Sequence, residues 1–311
     1  MNKTTHIPIF LAEVIGSFRL TNGRTFLDGT LGGGGHARAI LDAFPLSHLW
    51  AMDLDPMAIM RGKQSLPTDR VNIIHRNFSH FDELEQKTFD GILFDLGVSS
   101  DQLDTAERGF SFRSDGPLDM RMNPTVGLSA AQFLRQATRE ELITAIRDYG
   151  EEPAWRRVVD AIVEARHMEG KRLERTHTFA DYIRRILPAN YRSNIDPATR
   201  TFQGIRIAIN GELDSLRSSL PKAFKALNGR GVLAVLTFHS LEDRLVKQQF
   251  RDWAGMAIDR HDSRSQQDRH AQGRILTPKP ITPSSDELTT NPRSRSAKLR
   301  LFQKWEGDGC Q

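Results

Sequence analysis

Three aspartates, Asp28, Asp53 and Asp95, each end a short apolar run and stand ahead of turn-forming residues. Asp28 opens the segment DGTLGGGGH, residues 28–36, which leads from an extended stretch at 24–27 into a helical pattern at 37–41. A strand that turns through glycines into a helix leaves backbone N–H groups pointing outward, with no side chain in front of them. Such a turn can hold a nucleotide-like molecule. Gly32-x-Gly34-x-x-Ala37 fits the dinucleotide fingerprint in its G-x-G-x-x-A form, although a glycine loop can also be a plain tight turn. The neighbouring acids shift the balance. A carboxylate at Asp28 would repel a pyrophosphate but help hold a cationic or amino-bearing ligand. Asp53, one βαβ unit later, stands where a carboxylate accepts hydrogen bonds from ribose hydroxyls. Asp55, before Pro56, is the more natural helix cap, which leaves Asp53 free for a ligand. This pair of acids suits S-adenosylmethionine better than NAD.

The segment DLGVSS, residues 95–100, follows a fourth apolar run. Asp95 there can accept from an exocyclic or ligand amino group, or simply cap the next turn. If the ligand donates a methyl group, the reaction is a direct displacement at a sulfonium carbon, and the protein's main task is alignment. Residues 107–113 and 116–122 are dense in arginine, aromatic and turn residues, the types that hold phosphates and stack an unpaired base. They equally suit an ordered loop with core phenylalanines and solvated arginines. His239 follows a fifth apolar run and can touch substrate, while Ser240 and Asp243 can cap the next helix. Arg293, Arg295 and Lys298 suit phosphate contacts or a solvated tail. The chain has no Walker loop, no H-E-x-x-H and no G-x-S-x-G elbow. Its only cysteine is Cys310. Disulfides within the chain, cysteine zinc sites and a buried thiolate nucleophile are thereby excluded. Attack by an exocyclic amine, a hydroxyl or a purine carbon, without covalent catalysis, is what is left.

Positioning these residues requires a sheet. Strands near 24–28, 48–53, 71–75 and 89–95 alternate with helices near 34–44, 56–64 and 80–86, after a first helix at 10–18. The alternation predicts a parallel, doubly wound sheet with ligands at the carboxyl ends of the strands. Asp28, Asp53, Phe78 and Asp95 lie at or just beyond such ends. After Asp95 the rhythm breaks. Residues 105–195 read as helices only, at 130–136, 140–149, 154–167 and 179–187, before a long helix at 197–227 and an apolar strand at 231–238. This predicts a helical insertion, 105–195, within a core made of 1–104 and 196–311. The polar stretch 259–292 predicts a mobile loop ahead of a last edge strand at 298–302. The 311 residues are 38% hydrophobic, enough for a sizeable core. Lys and Arg total 43 against 39 Asp and Glu, a formal +4 that allows a polyanionic partner without requiring one. No apolar run reaches membrane-spanning length and the first residues have no signal-peptide core, which predicts a cytoplasmic protein.

Eight ordered blocks carry a resemblance: DGTLGGGGH at 28–36, DLDP at 53–56, DLGVSSDQL at 95–103, ERGFSF at 107–112, DGPLDMRM at 115–122, PATRTFQ at 197–203, FHSLEDR at 238–244 and NPRSRS at 291–296. Together they resemble the RsmH (MraW) family of bacterial 16S rRNA (cytosine-N4)-methyltransferases, from His6 to about Phe302. The resemblance implies a class I, Rossmann-like α/β fold whose helical insertion helps recognise substrate. It implies S-adenosyl-L-methionine as cofactor, and N4 methylation of a decoding-centre (P site) cytidine in the 16S rRNA of the small ribosomal subunit. It gives no part to DNA, a membrane or a metal. Carried over by motif, the donor contacts would be Gly34, Gly35, His36, Asp53, Phe78, Asp95 and Gln102. The glycine turn carries Leu31 and Gly33 where relatives often carry Phe and Arg. N4 of cytosine is conjugated with the ring and a poor nucleophile, so it must be set in line with the methyl group and its N–H accepted. On that reading Asp95, His239 and Asp119 are the candidate catalytic residues. His239 and the loop from Asp115 to Arg121 would frame the cytidine. The alternatives are a dinucleotide-dependent oxidoreductase, which would bind NAD, and an RNA-binding protein that kept the fold without binding a donor.

Overall fold

A computed structural model describes residues 8–167, 172–188, 191, 195–265 and 268–307; Cys310 and residues 1–6 lie outside them. The chain divides into two compact units, Met1–Gly97 with Leu213–Gln311, and Val98–Glu212. In the first, α1 (Leu11–Phe18) precedes β1 (Thr25–Asp28), α2 (Gly35–Ala43), β2 (His48–Asp53), α3 (Pro56–Ser65), β3 (Val71–His75), a 3-10 helix (Phe78–Glu83) and β4 (Phe89–Asp95). The helical unit then supplies α4 (Ser100–Asp104), α5 (Ala130–Gln136), α6 (Arg139–Ile143), α7 (Trp155–Ala165), α8 (Thr176–Ile186) and α9 (Ala198–Asn210). Next come α10 (Glu212–Ala226), β5 (Leu227–Thr237), α11 (Ser240–Trp253), β6 (Gly273–Ile275), α12 (Ser285–Thr290) and β7 (Lys298–Lys304).

The sheet order is β3-β2-β1-β4-β5-β7-β6. The first five strands run parallel, and β7 runs antiparallel to both its neighbours. This is a doubly wound, Rossmann-like α/β sheet. Strands β4 and β5 are buried for most of their length because both faces of the sheet are covered, which is why they read as apolar runs rather than alternating ones. Alternate residues of β1 feed opposite cores. Phe26 joins Phe10, Phe18, Ile40, Leu93 and Leu299 on one face, and Leu27 joins Met52, Phe94, Leu220, Phe250 and Phe302 on the other.

At the amino ends of the strands, Asp90 is buried, with one oxygen accepting from the backbone N–H of Arg24 at 2.8 Å and of Thr25 at 3.0 Å. Its other oxygen accepts from Asn228 Nδ2 at 2.9 Å. Three chain segments are thereby fixed by one carboxylate.

The helical unit has its own core, including Leu118, Leu134, Leu142, Ile146, Val158, Ile162, Phe179 and Phe202. It extends beyond the expected 105–195. Val98 and Leu103 pack against this core, and α9 buries Ala198, Phe202 and Ile205 in it. The long helix expected at 197–227 is two helices: Gly211, at φ 59°, ends α9 before α10 begins. Gly204 of α9 lies so close to the helix after α6 that a Cβ there would fall 2.0 Å from the Ala145 carbonyl oxygen. That segment, Thr144–Tyr149, winds as a π-helix instead of continuing α6. The last strand also differs from expectation. β7 is not an edge, because β6 pairs outside it, with Gly273 opposite Lys304. The polar stretch 259–292 hid both β6, three residues long, and α12. Among the described residues, no helix is long and apolar enough to cross a membrane.

Candidate active site at the strand ends

Register places the three acids in a row. Asp28 at the end of β1 pairs with Ala51 of β2 and Leu93 of β4, so Asp53 and Asp95 lie two residues further along on either side. The glycine turn between β1 and α2 is held to both neighbours. Gly29 N–H donates to the Leu93 carbonyl at 2.9 Å and Leu31 N–H to the Met52 carbonyl at 2.8 Å. Gly32 and Gly34 occupy the left-handed region, φ 50° and 78°. Gly34 caps α2, whose first N–H groups have no acceptor within the helix. A Cβ on Gly35 would fall 2.3 Å from Pro8 Cγ.

Asp53 is not free. Its Oδ2 accepts from Gly32 N–H at 2.7 Å and its Oδ1 from Asp55 N–H at 2.8 Å. One carboxylate thus ties the second strand to the glycine turn, while its remaining lone pairs can still accept from a ligand hydroxyl. Asp55 caps α3 as the sequence predicts, accepting from Met57 N–H at 2.9 Å. Burial raises the Asp53 carboxyl above the usual carboxylate range, against the pull of the Asp55 and Gly32 N–H groups.

His36 and Asp95 form the other half of the site. His36 is buried, with Nε2 3.0 Å from the Ile9 carbonyl oxygen and Nδ1 3.5 Å from Asp95 Oδ2. A carbonyl oxygen only accepts, so Nε2 carries a proton, and a carboxylate facing Nδ1 favours a second. Burial works against the charged ring. The hydrogen bond and charge of Asp95, together with the charge of Asp28, outweigh it and hold His36 above the ordinary imidazole value. Thr30 links the acids: its Oγ1 accepts from Asp95 N–H at 2.6 Å, and its N–H donates to Asp28 Oδ1 at 3.1 Å. Asp28 Oδ2 is buried with no hydrogen-bond partner among the described residues. Burial pushes the Asp28 carboxyl up to about 7, against the lowering pull of His36 and the Thr30 N–H.

Phe78 begins the 3-10 helix after β3, its ring 5.0 Å from that of Phe94. His239 follows β5 and is the N-cap of α11. Its Nε2 lies 3.1 Å from Glu242 Oε1, and Glu242 Oε2 accepts from Phe238 N–H at 2.8 Å. The expected cap from Ser240 and Asp243 is therefore replaced by His239 with Glu242. Asp243 instead pairs with Arg300 at 2.6 Å and Lys298 at 3.0 Å on β7.

Two predicted residues lie in the helical unit. Gln102 completes the capping box of α4, its Oε1 accepting from Ser99 N–H at 2.9 Å. Asp119 grips Arg121, with Oδ1 2.9 Å from Nε and Oδ2 2.7 Å from Nη2. Phe110 is buried in the helical core, and Asp115 pairs with Arg175 at 2.6 Å. The loop from Asp115 to Arg121 is thus held by one internal ion pair and by one to Arg175 at the start of α8. Sequence reasoning missed Thr30, Ile9 and Glu242. Only Glu242 left a signal, three residues past its N-cap, which is capping-box spacing.

Residues 3–305 match the MraW methylase family. The "Ribosomal RNA small subunit methyltransferase H" of Paramagnetospirillum magneticum is 46% identical over 309 residues, spanning 96% of this chain and 96% of that protein. The protein of the same name from Nitrosococcus oceani is 43% identical over 309 residues, 97% of each chain. That from Methylobacterium nodulans is 45% identical over 308 residues, 96% of this chain and 90% of the relative. With a family match across nearly the whole chain and relatives this similar over nearly their full length, the chain belongs to the MraW methylase family.

Proposed function

We propose that the chain is an S-adenosyl-L-methionine-dependent methyltransferase of small-subunit ribosomal RNA that modifies the exocyclic N4 of a decoding-centre (P site) cytidine in 16S rRNA. The observation that carries this reading is the row of Asp28, Asp53 and Asp95 around the glycine turn. The donor pairs a cationic sulfonium and amino group with a ribose, and the residues present fit it. Asp28 offers a buried acceptor that nothing among the described residues satisfies. Asp53 offers lone pairs for hydroxyls, and the start of α2 offers the N–H groups of Gly35 and His36, while Gly34, whose N–H donates to the Leu31 carbonyl at 2.7 Å, shapes the turn in the left-handed region. Phe78 and Gln102 complete the proposed donor contacts.

When bound, the donor supplies an electrophilic methyl group on sulfur. Asp95 accepts an N–H of the target amine and turns its nitrogen toward that methyl, so that alignment rather than covalent chemistry lowers the barrier. His36, fixed between the Ile9 carbonyl and Asp95, keeps that carboxylate from swinging away. His239 and Asp119 serve as substrate-side groups on this reading, each oriented by its own partner, Glu242 and Arg121. The helical unit recognises the RNA, and the reaction takes place in the cytoplasm, without membrane, DNA or metal.

Purified protein, donor carrying a labelled methyl group, and 16S rRNA offered either naked or within small subunits would test this. Nucleoside mass spectrometry is expected to find N4-methylcytidine. A label on another atom, or no transfer to either substrate, would overturn it. A target cytidine must leave its stack, which costs a few kcal/mol in a duplex and less in a strained strand. The assembled subunit is therefore expected to be the better substrate.

A further inference from the structure

Asp28 is 1% exposed, yet among the described residues only one of its oxygens is used: Oδ1 accepts from Thr30 N–H, and Oδ2 is buried without a partner. A buried carboxylate with an unsatisfied oxygen is costly, and a protonated carboxyl is less so. The groups facing it are His36 from α2, Asp95 from β4, Asp53 from β2 and the Thr30 N–H from the turn. Two of these are acids, which disfavour a third negative charge. His36 already leans its Nδ1 toward Asp95, so it supplies Asp28 with charge at a distance and not with a hydrogen bond.

We propose that donor binding is linked to proton release: Asp28 carries a proton while the donor is absent and gives it to solvent as the donor's cationic end becomes the missing partner of Oδ2. This rests on the reading that the glycine turn binds the donor. The balance is simple. The Asp28 carboxyl becomes a carboxylate, one proton passes to the buffer, and no bond to carbon changes. Burial supports it by placing the Asp28 carboxyl at about 7, where the charge of an arriving cation decides whether the proton stays.

The test is isothermal titration calorimetry of the full chain with S-adenosyl-L-methionine, in buffers of different ionisation enthalpy. Linkage predicts close to one proton released per donor near pH 6 and roughly half near pH 7. The apparent Kd is expected to weaken by about tenfold per pH unit below about pH 7. Asp28→Asn is expected to release none and to bind with a Kd that no longer follows pH. Binding without proton release overturns the linkage and leaves donor binding standing. Absence of any binding heat overturns both. Release that survives in Asp28→Asn assigns the proton to another group of the site, His36 or Asp53, and overturns the role of Asp28. Should that variant fail to fold, infrared difference spectra of the wild-type protein decide: loss of a protonated-carboxyl band on donor addition is expected, and no change in that band overturns the proposal.

Discussion

Asp90 and Asp28 are both buried aspartates on neighbouring strands of one sheet, and they differ in how they are satisfied. Asp90, at the amino ends, has two backbone N–H groups and an asparagine amide directed at its oxygens. Asp28, at the carboxyl ends, has one N–H on one oxygen and, among the described residues, nothing on the other. Buried polar groups are nearly always paired, so an unpaired one marks a place where the protein alone is incomplete. One end of the sheet is built for stability and the other is left short of partners. The contrast also applies to Asp95, whose side chain reaches His36 at 3.5 Å while its backbone is fixed by Thr30 at 2.6 Å.

Substitutions can break or sharpen this contrast. The largest effect is expected at Asp95. Asp95→Ala should lower methyl transfer by about 10²–10⁴-fold, the range for a group that handles a proton or N–H in the transition state, with the melting temperature little changed. A near wild-type rate would take Asp95 out of the mechanism. Asp90→Ala should do the reverse. Loss of the acceptor for four donors costs roughly 3 kcal/mol of stability, read by urea denaturation, while affinity of the folded fraction for S-adenosyl-L-methionine stays unchanged.

Asp28→Asn should stabilise the donor-free protein at pH 8, by roughly 2 kcal/mol. The sign follows from the direction of the shift. The folded value is raised from 3.8 to about 7, so this group's contribution to stability is present at low pH and is lost as pH rises through that window. Melting curves of the two proteins should therefore converge near pH 4, and a constant gap across pH would contradict the assignment. Gly62→Ala is the mildest. Its Cβ would fall 2.7 Å from Leu31 Cδ2 and 3.2 Å from Ile73 Cδ1, both far ends of flexible side chains. An expected cost of about 1 kcal/mol, with slightly weaker donor binding as Leu31 shifts the turn, can be read from paired melting and titration curves.

The positions of Asp28, Asp53 and Asp95 were legible because strands covered on both faces leave apolar runs that end abruptly at a polar residue. β2, β3 and β4 fall within the bounds that such runs predict. What escaped depends on contacts distant in sequence. Nothing near Asp53 announces that Gly32, 21 residues away, claims one of its oxygens. Likewise, nothing near His36 points to the Ile9 carbonyl, 27 residues earlier. α9 and α10 read as one helix because Gly211 is a single residue in a continuous amphipathic pattern. Only the burial of Phe202 and Ile205 in the helical core assigns α9 to the other unit. β6 is too short for its alternation to register.

The place of β7 has a consequence for how the protein is made. β7, Lys298–Lys304, is translated after the six other strands of this sheet, yet it is internal to the sheet and pairs with β5 from Val232–Gln303 to Thr237–Lys298. Until it emerges, a nascent chain carries the flank of β5 as an open template for strands of other molecules. A product terminated shortly before Lys298 should accordingly form inclusion bodies, and vectorial synthesis should hold completion of the sheet back until β7 itself has emerged.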